Sequence, residues 1–142
     1  MSSSLEKFNL VEQKLKEIAE SIEKVRQVSI AEPSPSEPFR SPRVFVWIRE
    51  GEAKPITISG NVMRHVWRFE YIIDVASASP LTAYETVKEI AWQLYNKVMD
   101  DRTLGGLVLR ADPAARFYRV EVPTERGYGH RWVMLVEVTV DA

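Results

Sequence analysis

The chain has 142 residues, 45% of them hydrophobic and 27% charged, which gives room for one compact domain plus an extension and excludes a multidomain enzyme or a largely disordered tail. Nineteen Lys and Arg against twenty Asp and Glu leave a formal charge of -1, so no global field draws the protein to nucleic acid or anionic lipid. There is no cysteine, which removes disulfides, thiol nucleophiles, thiolate zinc sites and iron–sulfur clusters, and two histidines, His65 and His130, are poor material for a metal site. No apolar run approaches the twenty or so residues of a spanning helix, and the opening MSSSLEK lacks the charged-then-apolar order of a signal peptide, so the expectation is an intracellular chain with no membrane contact.

In chain order, Ser3 and Glu6 have the spacing of a capping box at a helix start. Leu5, Phe8, Val11 or Glu12, Leu15, Ile18, Ile22 and Val25 then recur at steps of three and four, which predicts an amphipathic helix of roughly twenty-five residues, nearly 40 Å long. Its apolar stripe packs either on its own domain or on a neighbouring subunit. Pro33, Pro35, Pro38 and Pro42, set among serines and glutamates, fix φ and remove backbone donors, so the segment reads as a semi-rigid extended linker. The expected organisation is therefore a helix and linker over residues 1–42 and a body over 43–142.

Arg43 to Glu50 reads as a strand covered on both faces, and Gly51 and Pro55 as the brackets of a turn. A second extended region begins near Ile56 and becomes the clearest strand between Arg64 and Val75. There Trp67, Phe69, Tyr71, Ile73 and Val75 share one face, while Arg64, Arg68, Glu70 and Asp74 share the other. Ser79 before Pro80 is an N-cap followed by proline at the first helical position, where its missing N–H costs nothing. The helix this starts runs to about Asp101, with Leu81, Tyr84, Val87, Ile90 or Ala91, Leu94 and Val98 inward and Lys88, Glu89, Gln93 and Lys97 outward. Gly105 and Gly106 stop it. A short apolar run, the break ADPAA and an antiparallel pair, Phe117–Val122 with Trp132–Val140 joined by PTERGYGH, complete the chain. Strands grouped before and after one helix predict an α+β fold: a mostly antiparallel sheet of about four to six strands covered by one helix, with an appended N-terminal helix.

No catalytic, metal or cofactor constellation emerges from these residues. Asp100 and Asp101 lack the further oxygen ligands of a calcium loop. His65 falls on the Trp67 face of its strand, and His130 follows GYG in a loop. Arg110, Arg116, Arg119, Arg126 and Arg131, interleaved with Phe117, Tyr118, Tyr128 and Trp132, superficially match a single-strand nucleic-acid platform. The residues after Pro42 carry as many acidic as basic groups, however, and arginine with aromatics is what protein interfaces enrich, so inter-subunit or intra-sheet ion pairing is the expected role.

The stretch from the central strand through the helix to TLGGLV, followed by WVMLVEVTV, resembles the tail terminator proteins of tailed phages and proviruses. In that family an extended strand leads into a helix that ends in a D-x-T-L-G-G-L-V turn. Asp101, Thr103, Leu104, Gly105, Gly106, Leu107 and Val108 match that turn, and the likeness covers about the last half of the chain. The resemblance implies a structural virion protein without enzymatic activity, a hexameric ring that caps the tail tube and offers a docking surface to the head–tail connector. It further implies contacts with the major tail tube protein, DNA passing only through the lumen, and a place in the tail or neck of a virion assembled in the host cytoplasm. Candidate subunit or partner contacts are Arg110, Arg116, Arg119, Tyr128 and Arg131 together with Phe8, Leu15, Ile18 and Ile22 of the first helix. The alternatives are another neck or head–tail joining protein, or a small ligand-binding regulatory α+β module.

Overall fold

The period-two alternation of the strand β3, Met63–Ser77, sets the plan of the molecule. In the computed structural model, which describes residues 4–31, 41–77, 79–124 and 127–142 with the side chains of Pro80, 114–124 and 127–128 excepted, Trp67, Phe69, Tyr71, Ile73 and Val75 are all buried on one face of this strand. Around it lie β1 (Gln27–Ile30), β2 (Arg43–Pro55), β4 (Arg110–Thr124) and β5 (Gly127–Asp141), with the helices α1 (Ser4–Glu20) and α2 (Pro80–Asp100). The strands form one sheet in the order β1-β2-β3-β5-β4. Every pairing is antiparallel except that of β1 with β2. The fold is α+β with a mostly antiparallel sheet.

Both helices lie on the same face of that sheet, where a single helix was expected to cover it. Val11, Leu15 and Ala19 of α1, with Ile22 just beyond it, join Ala83, Val87, Ile90, Ala91, Leu94 and Val98 of α2 in one core with the inward residues of β2, β3 and β5. Each large aliphatic side chain so buried contributes roughly 1.5–3 kcal/mol. The helix α1 is shorter than its periodicity suggests. It ends at Glu20 because the chain turns there, with Ile22 N donating to Ala19 O at 3.2 Å and Val25 N to Ile22 O at 3.1 Å. At the start of α2 the expected cap is present: Ser79 has extended backbone (φ -109°, ψ 122°) and its hydroxyl accepts from Thr82 N.

Four local expectations are corrected. Gly51 and Pro55 do not bracket a turn. They lie inside β2, where Gly51 pairs with Trp67 and a Cβ on it would come within 3.1 Å of the indole Cδ1. The turn falls after Pro55, where Gly60 has φ +71° and donates to Thr57 O at 3.1 Å. The break ADPAA is a register shift within β4, between Pro113 and Phe117. The loop PTERGYGH is mostly strand, since Thr124 pairs with Gly127. His130 is accordingly a buried strand residue opposite Val75, not a loop residue.

Candidate assembly surfaces

The D-x-T-L-G-G-L-V segment is a tight turn in which each matched residue has a mechanical task. The Asp101 carboxylate accepts from Gly105 N at 2.8 Å, and the Thr103 hydroxyl accepts from Gly106 N at 3.1 Å. Asp101 O and Thr103 O accept from Leu104 N and Val108 N, both at 3.0 Å. Carbonyls and side chains at the end of α2 are thus satisfied locally, as a helix terminus requires. Three consecutive residues are left-handed: Leu104 (φ 49°), Gly105 (φ 72°) and Gly106 (φ 86°). Glycine adopts that region freely, whereas leucine is strained there. Leu104 holds it because its side chain is 2% exposed in the core. Val108 is buried with it, and Leu107 packs against the same cluster. The turn then hands the chain to the sheet, with Leu109 N donating to Thr139 O at 3.0 Å.

The sheet face away from the helices carries an ordered set of charges. Register places Arg43, Asp74 and Arg131 side by side on β2, β3 and β5. Asp74 accepts from Arg131 Nε at 2.7 Å and Nη2 at 2.9 Å, and from Arg43 Nε at 3.0 Å. The hydrogen bonds to Asp74 raise the Arg131 pKa, and the Arg43 guanidinium also lies 4.7 Å from the Phe45 ring centroid. The next row, Phe45, Ile72 and Val133, is a second small apolar cluster. Farther along, Arg68 reaches Glu137 at 3.2 Å, Glu52 at 3.3 Å and Glu50 at 3.7 Å. Arg64 makes a two-point contact with Asp141 at 2.9 and 3.0 Å, and that hydrogen bonding holds the Asp141 carboxyl below the usual range.

The candidate contact residues divide accordingly. Leu15 and Ile22 are fully taken up by this chain's own core, and Phe8 and Ile18 pack against it. Phe8 stands edge-on to Trp67 with ring centroids 5.0 Å apart. From Phe8 to Ile22 the α1 stripe is therefore an intramolecular surface, whereas Leu5 at its start is exposed. Arg131 serves an intra-sheet ion pair, and Arg110 pairs with Asp112 at 2.6 Å. Asp112 also receives Arg102. Arg116, Arg119 and Tyr128 lie on paired strands, and their side chains fall outside the described residues. The other edge feature is β4 itself, which ends the sheet. Its Pro113 and its register shift interrupt the ladder, a common protection against uncontrolled strand addition.

Arg43 was not legible as a functional or structural partner, because a cross-strand contact depends on register and a single sequence does not reveal register. Asp74 was placed on the wet face by alternation and is nevertheless 1% exposed. Among the described residues, no group of three or more His, Asp or Glu side chains gathers into a metal-holding arrangement, and no helix is long and apolar enough to cross a membrane.

No family model matches the chain, and no curated protein matches it. Among solved structures it is similar to a chain from the virion of a native gene transfer agent (GTA) particle, at 12% identity over 93% of this chain and 92% of that one, with a TM-score of 0.47.

Proposed function

We propose that this chain is a structural protein of a phage-like virion, acting as a tail-terminator-like ring that caps the tail tube and offers a docking surface to the head–tail connector. The observation that supports this reading best is the Asp101–Val108 turn. Every polar or glycine residue by which the segment resembles the family motif has a separate role in its geometry: Asp101 and Thr103 accept backbone donors, while Gly105 and Gly106 supply left-handed backbone. A rigid junction of this kind fixes where α2 ends relative to the edge of the sheet.

In this reading the work is done by shape and subunit contacts, with no chemistry performed. Copies of the chain meet head to tail, and a rotation that closes makes a ring, here six-fold. The partners are other copies of itself, the tail tube protein and the connector, and DNA passes only through the lumen. A near-neutral chain suits a passage along which DNA has to slide, because a strongly basic wall would retain it. Deleting the gene in a host that produces the particle tests the reading. The expected result is filled heads without joined tails, together with tails of unregulated length. Intact particles of normal morphology would contradict it.

A further inference from the structure

The outer flank of α2 differs from what its sequence pattern suggests. Leu81 and Tyr84, expected to be buried, are 66% and 40% exposed, and Trp92 and Met99 are 49% and 41% exposed. These residues lie on one strip with Lys88 and Tyr95. Trp92 and Tyr95 meet edge to face at 5.5 Å between ring centroids, and the Lys88 ammonium rests 5.1 Å from the centroid of Tyr84. The strip lies on the side of α2 away from α1. Glu89, bridged to Lys24 after α1 at 2.6 Å, marks the α1 side, whereas Tyr84 stands edge-on to Trp132 of β5 with ring centroids 6.1 Å apart.

Two features of this strip suit it to a second helix of the same sequence. Leu81, Lys88 and Tyr95 are spaced by seven residues, and so are Glu85, Trp92 and Met99, the repeat that keeps a seam facing a second helix along its whole length. The strip is also self-complementary when reversed about residue 90. An antiparallel copy sets Leu81 against Met99, Glu85 against the Tyr95 hydroxyl, and the Lys88 cation against the Trp92 indole, a favourable cation–π pairing. The two helix dipoles then oppose each other.

We infer that the α2 flank binds a second copy of this chain through an antiparallel, twofold contact between their α2 helices. The seam is ~27 Å long, and a strip of that length one helix wide falls short of the about 800 Å² per partner typical of stable complexes. The dimer is therefore weak and concentration-dependent. A twofold pair is an isologous contact and does not itself close a ring, so this inference stands apart from the proposed function and is tested on the protein alone, without tail tubes.

Sedimentation velocity of the full chain over a series from nanomolar to high micromolar concentration reads the association directly. A monomer–dimer equilibrium is expected, weakened about tenfold or more by Trp92→Glu with an unchanged circular dichroism spectrum. Because the chain has no cysteine, cross-linking gives the orientation. The double variant Leu81→Cys/Met99→Cys should form a covalent dimer under mild oxidation, and neither single variant should. A monomer at every concentration, a dimer indifferent to Trp92→Glu, or cross-linking of Leu81→Cys alone would each overturn the inference.

Discussion

The Tyr71 hydroxyl donates to the backbone oxygen of Leu15 at 2.6 Å, fastening the central strand to the first helix inside the core. Both side chains are among the fully buried ones, so α1 is part of the body of the protein and not an arm reaching away from it. The hydrogen bond also explains why a tyrosine, not a phenylalanine, occupies this point of an otherwise apolar face.

Tyr71→Phe should therefore cost about 1 kcal/mol of stability, the usual net value of such a bond. The pH dependence has a definite sign. Burial pushes the Tyr71 phenol well above its ordinary value, so above about pH 10 the unfolded chain releases a proton that the folded chain retains. Stability falls as pH rises through that range. Urea titrations at pH 8 and at higher pH should show a smaller alkaline loss in Tyr71→Phe than in the parent, and equal losses would show that Tyr71 does not control the effect.

Removing residues 1–25 should abolish cooperative unfolding, because it strips Val11, Leu15, Ala19 and Ile22 from the core. At roughly 1.5–3 kcal/mol for each large side chain, the loss is comparable with the whole stability of an ordinary domain, about 5–15 kcal/mol. A sharp thermal transition in the truncated protein would place the core elsewhere.

Gly106→Val should destabilise by about 1–2 kcal/mol through the backbone alone. At φ +86° the position is left-handed, yet an added Cβ would meet nothing within 4 Å. Gly106→Asn, whose side chain tolerates that conformation, should lose less. Equal melting temperatures for the parent and both variants would rule out strain at this position.

Asp74→Asn should cost about 3–5 kcal/mol, since it removes the charge of the buried carboxylate that Arg43 and Arg131 share. Asp141→Asn, at the more exposed end of the same face, should cost far less and should show its effect chiefly through pH. The Arg64 hydrogen bond depresses the Asp141 carboxyl, so the pair's contribution is present above the ordinary aspartate value and is lost as pH falls through the depressed one. Acid titrations should thus be flatter in Asp141→Asn, and a parent and variant with the same acid profile would argue against the pairing.

The strongest sequence signals were those with a period or a cap. The alternation in β3, the Ser79 cap and the inner positions of α2 from Val87 to Val98 were all legible, because each is decided within a few residues of itself. What escaped depends on partners distant in the chain. Four residues of β1 carry too little pattern to show a strand, and they exist as one only through pairing with β2. The Arg43–Asp74–Arg131 group requires the register of three strands. Leu81 and Tyr84 fit an inward stripe on periodicity, but the sheet covers α2 from the Val87 side and leaves them outside. The turn at Asp101–Val108 is recognisable as a motif, while its hydrogen bonds depend on the left-handed backbone at Leu104, Gly105 and Gly106.

The proposed function requires copies of this chain to assemble as a ring on a tail tube. Electron microscopy of the purified protein mixed with isolated tail tubes reads this out. A closed ring seated at one end of each tube is the expected result. Tubes with both ends bare at saturating protein concentration would contradict it.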